Sequence, residues 1–267
     1  MPEAQINDVT LSYTDRSPES GSENVLLLLH GHAFDRSMWE PQIGHFAALG
    51  WRVIAPDLRG FGGSGLTPGI VYTEEFTADT VALLDHLGID TAVVLGYSMG
   101  GQVAMEIQHS HPQRVRALAI VDTIPQGEDA AGKRRRNVVA DRLVTEGMHD
   151  YAADVLGLMI GGYNVEKLPA VAGKVLEMIR ASSAVGSAAA MRGRAARRDF
   201  SGTLSAVTVP ALVVVGADDA FDGGAAVHMH ELMPHSTLAV IEGAGHTPSM
   251  EQPASFNAVL QAFLSGV

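Results

Sequence analysis

The sequence predicts an α/β protein: a mostly parallel sheet with helices on both faces, interrupted by an all-helical insertion. Three observations carry this reading. Short, continuous apolar runs such as "VLLLL" at 25–29 have the composition of strands covered on both faces. Stretches with helical apolar periodicity lie between them, and strand–helix alternation is the signature of a parallel sheet. The segment 123–205 departs from the rest in composition and charge.

In chain order, Val9–Tyr13 and Val25–Leu29 are the first strands. Ser37–Leu49 follows as a helix with Trp39, Ile43 and Phe46 on one stripe. Arg52–Ala55 is the next strand, and Thr73–Leu87 a helix with Phe76, Thr80, Leu83 and Leu87 aligned. The strand Ala92–Leu95 passes abruptly into a helix that begins at Met99 and ends near Pro112. Ala117–Val121, Ala211–Val215 and Thr237–Ile241 complete the strands, and Ala254–Leu264 is a closing helix with Phe256, Val259, Leu260 and Phe263 on its apolar face.

Between the strands Ala117–Val121 and Ala211–Val215, "GKRRRNVVADRLVTEG", "YAADVLGLMI", "LPAVAGKVLEMIRA" and "SAAAMRGRAARR" are rich in helix formers and are broken by Gly161-Gly162 and Pro169. This insertion holds twelve of the 18 Lys and Arg and nine of the 30 Asp and Glu, so it carries +3 while the remainder carries −15. Such an excursion belongs at one end of the sheet, over the strand ends where open α/β sheets bind ligands.

An acidic body repels phosphate backbones, which argues against nucleic acid. The run "KRRR" at 133–136 reads as a solvated helix face beside Glu128, Asp129 and Asp141. The absence of cysteine excludes disulfides and thiolate metal sites. No basic region followed by an apolar core opens the chain, and no apolar run approaches the length of a membrane span. The expectation is a cytoplasmic protein, monomer or homodimer, with no membrane or nucleic-acid partner.

"GYSMG" at 96–100 fits G-x-S-x-G and has the required context, a strand before it and a helix after. In such an elbow the strained serine, Ser98, lifts its hydroxyl clear of the sheet edge. Glycine at 96 and 100 lets strand and helix pass closely. A serine hydroxyl needs a base, and the base needs an orienting group. After an elbow the expected order is acid, then histidine. "VVVGADDAF" offers Asp218 and Asp219 in the loop after one strand, and "VIEGAGHTPSMEQP" offers His246 after the last. Both loops open on the same sheet edge as Ser98. Donors for an oxyanion are expected from the backbone N–H of Met99, at the helix start, and of His32, in the loop "LLLLHGHAFDRSMW" where Gly31 allows a sharp return.

Two further motifs imitate other chemistries. "GFGGSG" at 60–65 satisfies G-x-G-x-x-G, but Thr67-Pro68-Gly69 follows where a dinucleotide site needs a helix. "HGHAFD" at 30–35 approaches a metal-binding H-x-H-x-D-H, yet Phe34 stands in the aspartate position and Asp35 in that of the last histidine. Neither a metal nor another cofactor is expected.

The motifs "HGHAFDRSMWEPQ", "VIAPDLRGFGGSG", "GYSMGG", "VPALVVVGADD" and "GAGHTPSMEQPASFNAVLQAFL", in this order, resemble those of the α/β-hydrolases of the esterase, 3-oxoadipate enol-lactonase and cofactor-free haloperoxidase type. The resemblance implies the α/β-hydrolase fold: an eight-stranded, mostly parallel sheet with a helical cap inserted after strand 6. The core would be 1–122 and 206–267, the cap 123–205. It further implies Ser98 as nucleophile and His246 as base. Asp219, third after the loop glycine, is preferred as the acid to Asp218, and Asp122 is a third candidate because some relatives place the acid after that strand. Haloalkane dehalogenases carry aspartate at the elbow, where this chain has Ser98.

The implied activity is hydrolysis of a small carboxylic ester or lactone through an acyl-enzyme. Alternatives on the same scaffold are a C–C bond hydrolase of aromatic-degradation intermediates and a ligand sensor that retains the triad. Met148, Leu156, Met159, Ile160, Met178 and Met191 are candidates for an apolar lining or for ordinary helix core. Arg192, Arg194, Arg197 and Arg198 could bind a substrate carboxylate, but they crowd several faces of one helix, and solvated surface is the stronger reading. A neutral, moderately apolar substrate is therefore expected.

Overall fold

A computed structural model describes residues 2–18 and 21–267. Met1, Glu19 and Ser20, within the expected core range 1–122, lie outside the described residues. The first strands are β1 (Glu3–Ile6), β2 (Val9–Arg16) and β3 (Val25–Leu29), then a 3₁₀ turn and α1 (Glu40–Ala48). β4 (Arg52–Pro56), α2 (Thr73–His86), β5 (Ala92–Tyr97), α3 (Met99–Ser110) and β6 (Val115–Val121) follow. The helical insertion comprises α4 (Ala130–Glu146), α5 (His149–Met159), α6 (Asn164–Lys167), α7 (Pro169–Ala181), α8 (Ala184–Ala196) and α9 (Ser201–Ser205). The chain closes with β7 (Ala211–Gly216), α10 (Ala225–Leu232), β8 (Thr237–Ile241), α11 (Pro248–Glu251) and α12 (Pro253–Leu264).

The eight strands form one sheet in the order β1-β2-β4-β3-β5-β6-β7-β8. Only the β1–β2 and β2–β4 pairs are antiparallel; the other five are parallel, with Leu27 beside Val94, Val94 beside Leu118 and Leu118 beside Ala211. Side chains alternate across the sheet, and this accounts for the continuous apolar runs. Leu27, Leu29, Val94 and Leu118 join one core with Val103 and Ile107 of α3 and Phe76 and Leu83 of α2. Leu26, Leu28, Val93 and Leu95 join the other with Phe46 of α1 and Leu260 of α12. That second core continues into the insertion through Ala140, Leu143, Val175 and Ile179.

The edge strand β1 is the one strand that apolar patterning does not reveal. Its four residues alternate exposed and buried, with polar Glu3 and Gln5 outward and Ala4 and Ile6 inward. The turn that follows it is tied down by Asn7, which donates to Asp79 Oδ1 at 2.8 Å, and by Asp8, whose Oδ1 accepts from Arg59 Nη2 at 2.8 Å.

The insertion rests on the loop between β4 and α2 with almost no side chain between them. A Cβ on Gly186 would lie 2.1 Å from the Gly60 carbonyl oxygen, and one on Gly193 would lie 1.7 Å from that of Val71. The Val71 amide donates to the Ala189 carbonyl at 3.1 Å. The same loop explains "GFGGSG": Gly62 has φ +52°, and a Cβ there would meet the Asp57 carboxylate at 2.2 Å. Asp57 in turn accepts from the amides of Arg36 and Gly63 and pairs with the Arg36 guanidinium. These glycines serve close packing.

Among the described residues no helix is long and apolar enough to cross a membrane. One buried acid lies apart from the sheet edge. Burial pushes the Glu106 carboxyl of α3 up to about 7, against the pull of Arg198, 3.0 Å away. The folded state therefore holds this proton more tightly than the unfolded chain. Its contribution to stability is complete below the ordinary 4.5 and is lost as the pH rises to about 7. Glu106→Gln is expected to melt progressively higher than the wild type as pH rises from about 5 to about 8, read by parallel thermal unfolding.

Candidate active site

The sharp passage from β5 to α3 is the structural centre of the site. Ser98 adopts φ 51°, ψ −110°, a region costly for a residue with a Cβ. The surrounding backbone leaves it no alternative path. A Cβ on Gly96 would lie 2.1 Å from the Gly100 carbonyl oxygen, and one on Gly100 would lie 2.3 Å from that of Leu29 in β3. The bend is pinned by the Ser98 amide, which donates to Val121 at 2.9 Å, and by the Thr123 hydroxyl, which donates to the Ser98 carbonyl at 2.7 Å.

His246 Nε2 stands 3.1 Å from Ser98 Oγ, and its Nδ1 stands 2.9 Å from Asp219 Oδ1. With a carboxylate at Nδ1, that nitrogen takes the proton and Nε2 is left to accept from the serine hydroxyl. Asp219 also accepts from the Phe221 amide at 2.9 Å. Rings of Tyr97 and Phe221 flank the imidazole at 5.2 and 4.7 Å. The His246 loop is held by Glu251, a buried carboxylate that residue patterning does not single out. It accepts from the amides of Gly245, Thr247 and Gly161, from the Thr247 hydroxyl and from the Asn164 amide group. Gly161 and Asn164 belong to the insertion, so Glu251 joins the two parts of the chain.

The other acid candidates lie elsewhere. Asp218 is exposed, and its Oδ2 accepts from the Tyr163 hydroxyl at 2.6 Å. Asp122, at φ 44°, is buried behind Asp219, where its Oδ1 accepts from the Gly216 amide at 2.9 Å. Burial, followed by the neighbouring Asp219 charge, drives the Asp122 carboxyl well above the usual carboxylate range. Asp219 is held below it despite burial, chiefly by its hydrogen bond to His246. Two carboxyl groups in one buried site are driven apart in this way, one upward and one downward. Ligand atoms of Asp122, Asp219 and His246 lie within 4.8 Å of one another.

Among the described residues, the backbone amides of Met99 and His32 have no hydrogen-bond partner, and both residues border the pocket or its nucleophile. The two imidazoles of "HGHAFD" are structural. His30 Nε2 accepts from the Leu58 amide, and its other nitrogen faces the Gly31 carbonyl. His32 Nε2 donates to the Ser187 carbonyl of α8 at 2.9 Å, and burial lowers this ring to about 3, so it is neutral.

The cavity over Ser98 measures about 480 Å³ and lies between the sheet edge and the insertion. Met159 and Met191 line it, as do Val139, Tyr151, Val155 and Ile179. Met148, Ile160 and Met178 are core, and Leu156 packs against that core. The arginine expectation needs correction. Arg192 and Arg198 are surface residues paired with Asp141 and Glu74, as their crowding implies. Arg197 is buried against Glu128, and Arg194 lines the pocket. The small residues of α8 let that helix lie flat on the body, which turns two of the four guanidinium groups inward.

Residues 24–253 match the family model for the alpha/beta hydrolase fold. The 3-oxoadipate enol-lactonase 2 of Acinetobacter baylyi is 29% identical over 259 residues, covering 96% of this chain and 94% of that one. A malate-bound thermophilic esterase from Thermogutta terrifontis superposes with a TM-score of 0.95 at 32% identity, over 100% and 99% of the two chains. The enol-lactonase of Burkholderia xenovorans superposes at 0.91 with 26% identity, over 99% and 100%.

If Asp219 orients the imidazole while Asp122 holds the Gly216 amide, the two amide substitutions must differ. Asp219→Asn is expected to lose about 10⁴-fold in kcat, the usual result of upsetting the histidine tautomer. Asp122→Asn, which keeps an oxygen acceptor for the Gly216 amide and does not touch His246, is expected to keep kcat within about tenfold. The reverse ranking in ester hydrolysis would assign the acid to Asp122.

Proposed function

The chain belongs to the α/β-hydrolase-fold family, and from that premise we propose that it is a serine hydrolase of small carboxylic esters or lactones. The observation that carries this reading is the unbroken series Ser98 Oγ, His246 Nε2, His246 Nδ1, Asp219 Oδ1, with separations of 3.1 and 2.9 Å. A hydroxyl, a base and an orienting carboxylate at these distances form an activated nucleophile.

In the proposed reaction Ser98 Oγ attacks the substrate carbonyl while His246 Nε2 takes its proton. The imidazolium is stabilised by Asp219, and the amides of Met99 and His32 donate to the developing oxyanion. Collapse of the tetrahedral adduct breaks the bond to the leaving alkoxide oxygen, which receives the proton from His246. In a lactone that alcohol stays attached to the acyl chain. Water then repeats the sequence on the acyl-enzyme, releases the acid and restores the serine. In this proposal the helical insertion acts as the cap, excluding bulk water and supplying the apolar wall against which the substrate body packs. The esterase and enol-lactonase relatives support both leaving-group types.

The proposal is tested with p-nitrophenyl butyrate and a short-chain lactone. Turnover with a pre-steady-state burst of one nitrophenol per chain is expected for the ester. Ser98→Ala is expected to lower kcat by about 10⁴-fold or more without lowering the melting temperature, because strain at φ 51° is not relieved by alanine and the lost hydroxyl bond is single. Ligand binding without turnover by the wild type would instead indicate a sensor.

A further inference from the structure

We propose that the Arg194 guanidinium forms an anion subsite in the Ser98 pocket, selecting esters or lactones that carry a carboxylate besides the scissile carbonyl. This deepens the hydrolase reading above and rests on it for the identity of the reacting group. It replaces the expectation of a neutral substrate.

The charges at the insertion side of the cavity do not balance. Arg136 and Arg194 line it, with Arg135 at its exposed rim. Glu128 is turned toward two other cations, its Oε1 accepting from Arg136 Nε at 2.6 Å and from Arg197 Nη1 at 3.1 Å. Arg194 donates its Nε to the neutral Gln102 Oε1 at 3.0 Å. Among the described residues neither of its terminal nitrogens has a hydrogen-bond partner, and no carboxylate lies within ion-pair distance. Desolvation, then Arg136 and Arg197, act against its positive charge, with Tyr151 and Glu128 opposing them.

A recessed cation without a counter-ion gains from an anionic partner, because no carboxylate of the fold offsets its partial desolvation. A guanidinium presents two parallel N–H donors that match a carboxylate. A substrate carboxylate therefore supplies what the fold omits. Its placement also suits the chemistry. Gln102 lies one helical turn beyond Ser98, its amide donating to the Ser98 carbonyl at 3.2 Å. The guanidinium that Gln102 holds is thus about one helix pitch and a side chain from the nucleophile, the span of a short carbon chain. The body's charge of −15 repels anions at long range, so selection must come from this local contact.

The test uses monomethyl glutarate and dimethyl glutarate, which share the glutaryl chain and one methyl ester and differ in whether the far carboxyl is ionised or methylated. Binding is measured by calorimetry on Ser98→Ala protein, so that turnover plays no part. Ser98→Ala is expected to bind the monomethyl ester at least about tenfold more tightly, and adding Arg194→Gln is expected to abolish that preference, with Arg194→Lys intermediate. Relief of repulsion from Arg136 and Arg197 is expected to raise the melting temperature of Arg194→Gln, whereas loss of a purely structural arginine would lower it. Equal binding of the two esters by Ser98→Ala overturns the subsite without recourse to any Arg194 variant. So does a preference that survives Arg194→Gln. Tight, Arg194-dependent binding of the monomethyl ester with no hydrolysis by the wild type supports the subsite and rejects the hydrolase reading.

Discussion

The whole arrangement depends on one steric constraint: three backbone segments cross at Ser98 with no room for a side chain between them. The Gly96 position faces the Gly100 carbonyl, and the Gly100 position faces that of Leu29, at distances below any contact a Cβ tolerates. Strand β5, helix α3 and strand β3 are thereby fixed relative to one another. The start of α3 then presents its free amide ends and positive dipole toward whatever stands over Ser98. The strained φ of Ser98 is a cost that the packing of two cores imposes on one residue.

Around that crossing the carboxylates divide by environment. Asp219 accepts hydrogen bonds that hold its carboxyl below the usual range, Asp122 is enclosed and pushed well above it, and Glu251 gathers donors from two loops and the insertion. None of these states is written in the residue type. Each follows from which donors the fold brings within reach and how much water it removes. The −12 net charge thus says little about the site, where the local balance on the insertion side is positive.

The sheet was legible because parallel strands buried on both faces admit almost only apolar residues, so Val25–Leu29 and Ala211–Gly216 announce themselves. Ser98, Asp219 and His246 were legible as candidates because each follows such a strand on the same edge, and the structure brings them together. β1 escaped because an edge strand of four residues with two polar outward positions has no distinguishing periodicity. Arg194 escaped for another reason. Charge crowding on a helix predicts that some positions are solvated, but which ones turn inward depends on the glycines at 186 and 193, whose role appears only when α8 meets its neighbour. Glu251 reads in sequence as an ordinary acidic residue before a proline.

The direct backbone contact of α8 with the loop after β4 also bears on how such a pocket diverges. With Gly60, Gly186 and Gly193 barred to larger residues and His32 gripping the Ser187 carbonyl, the helix has a fixed height above the sheet edge. Side chains it points into the cavity, Met191 and Arg194, can then be exchanged without shifting the rest of the wall. A lineage could move between charged and uncharged ligands by single replacements there, keeping the shelf and changing only what stands on it.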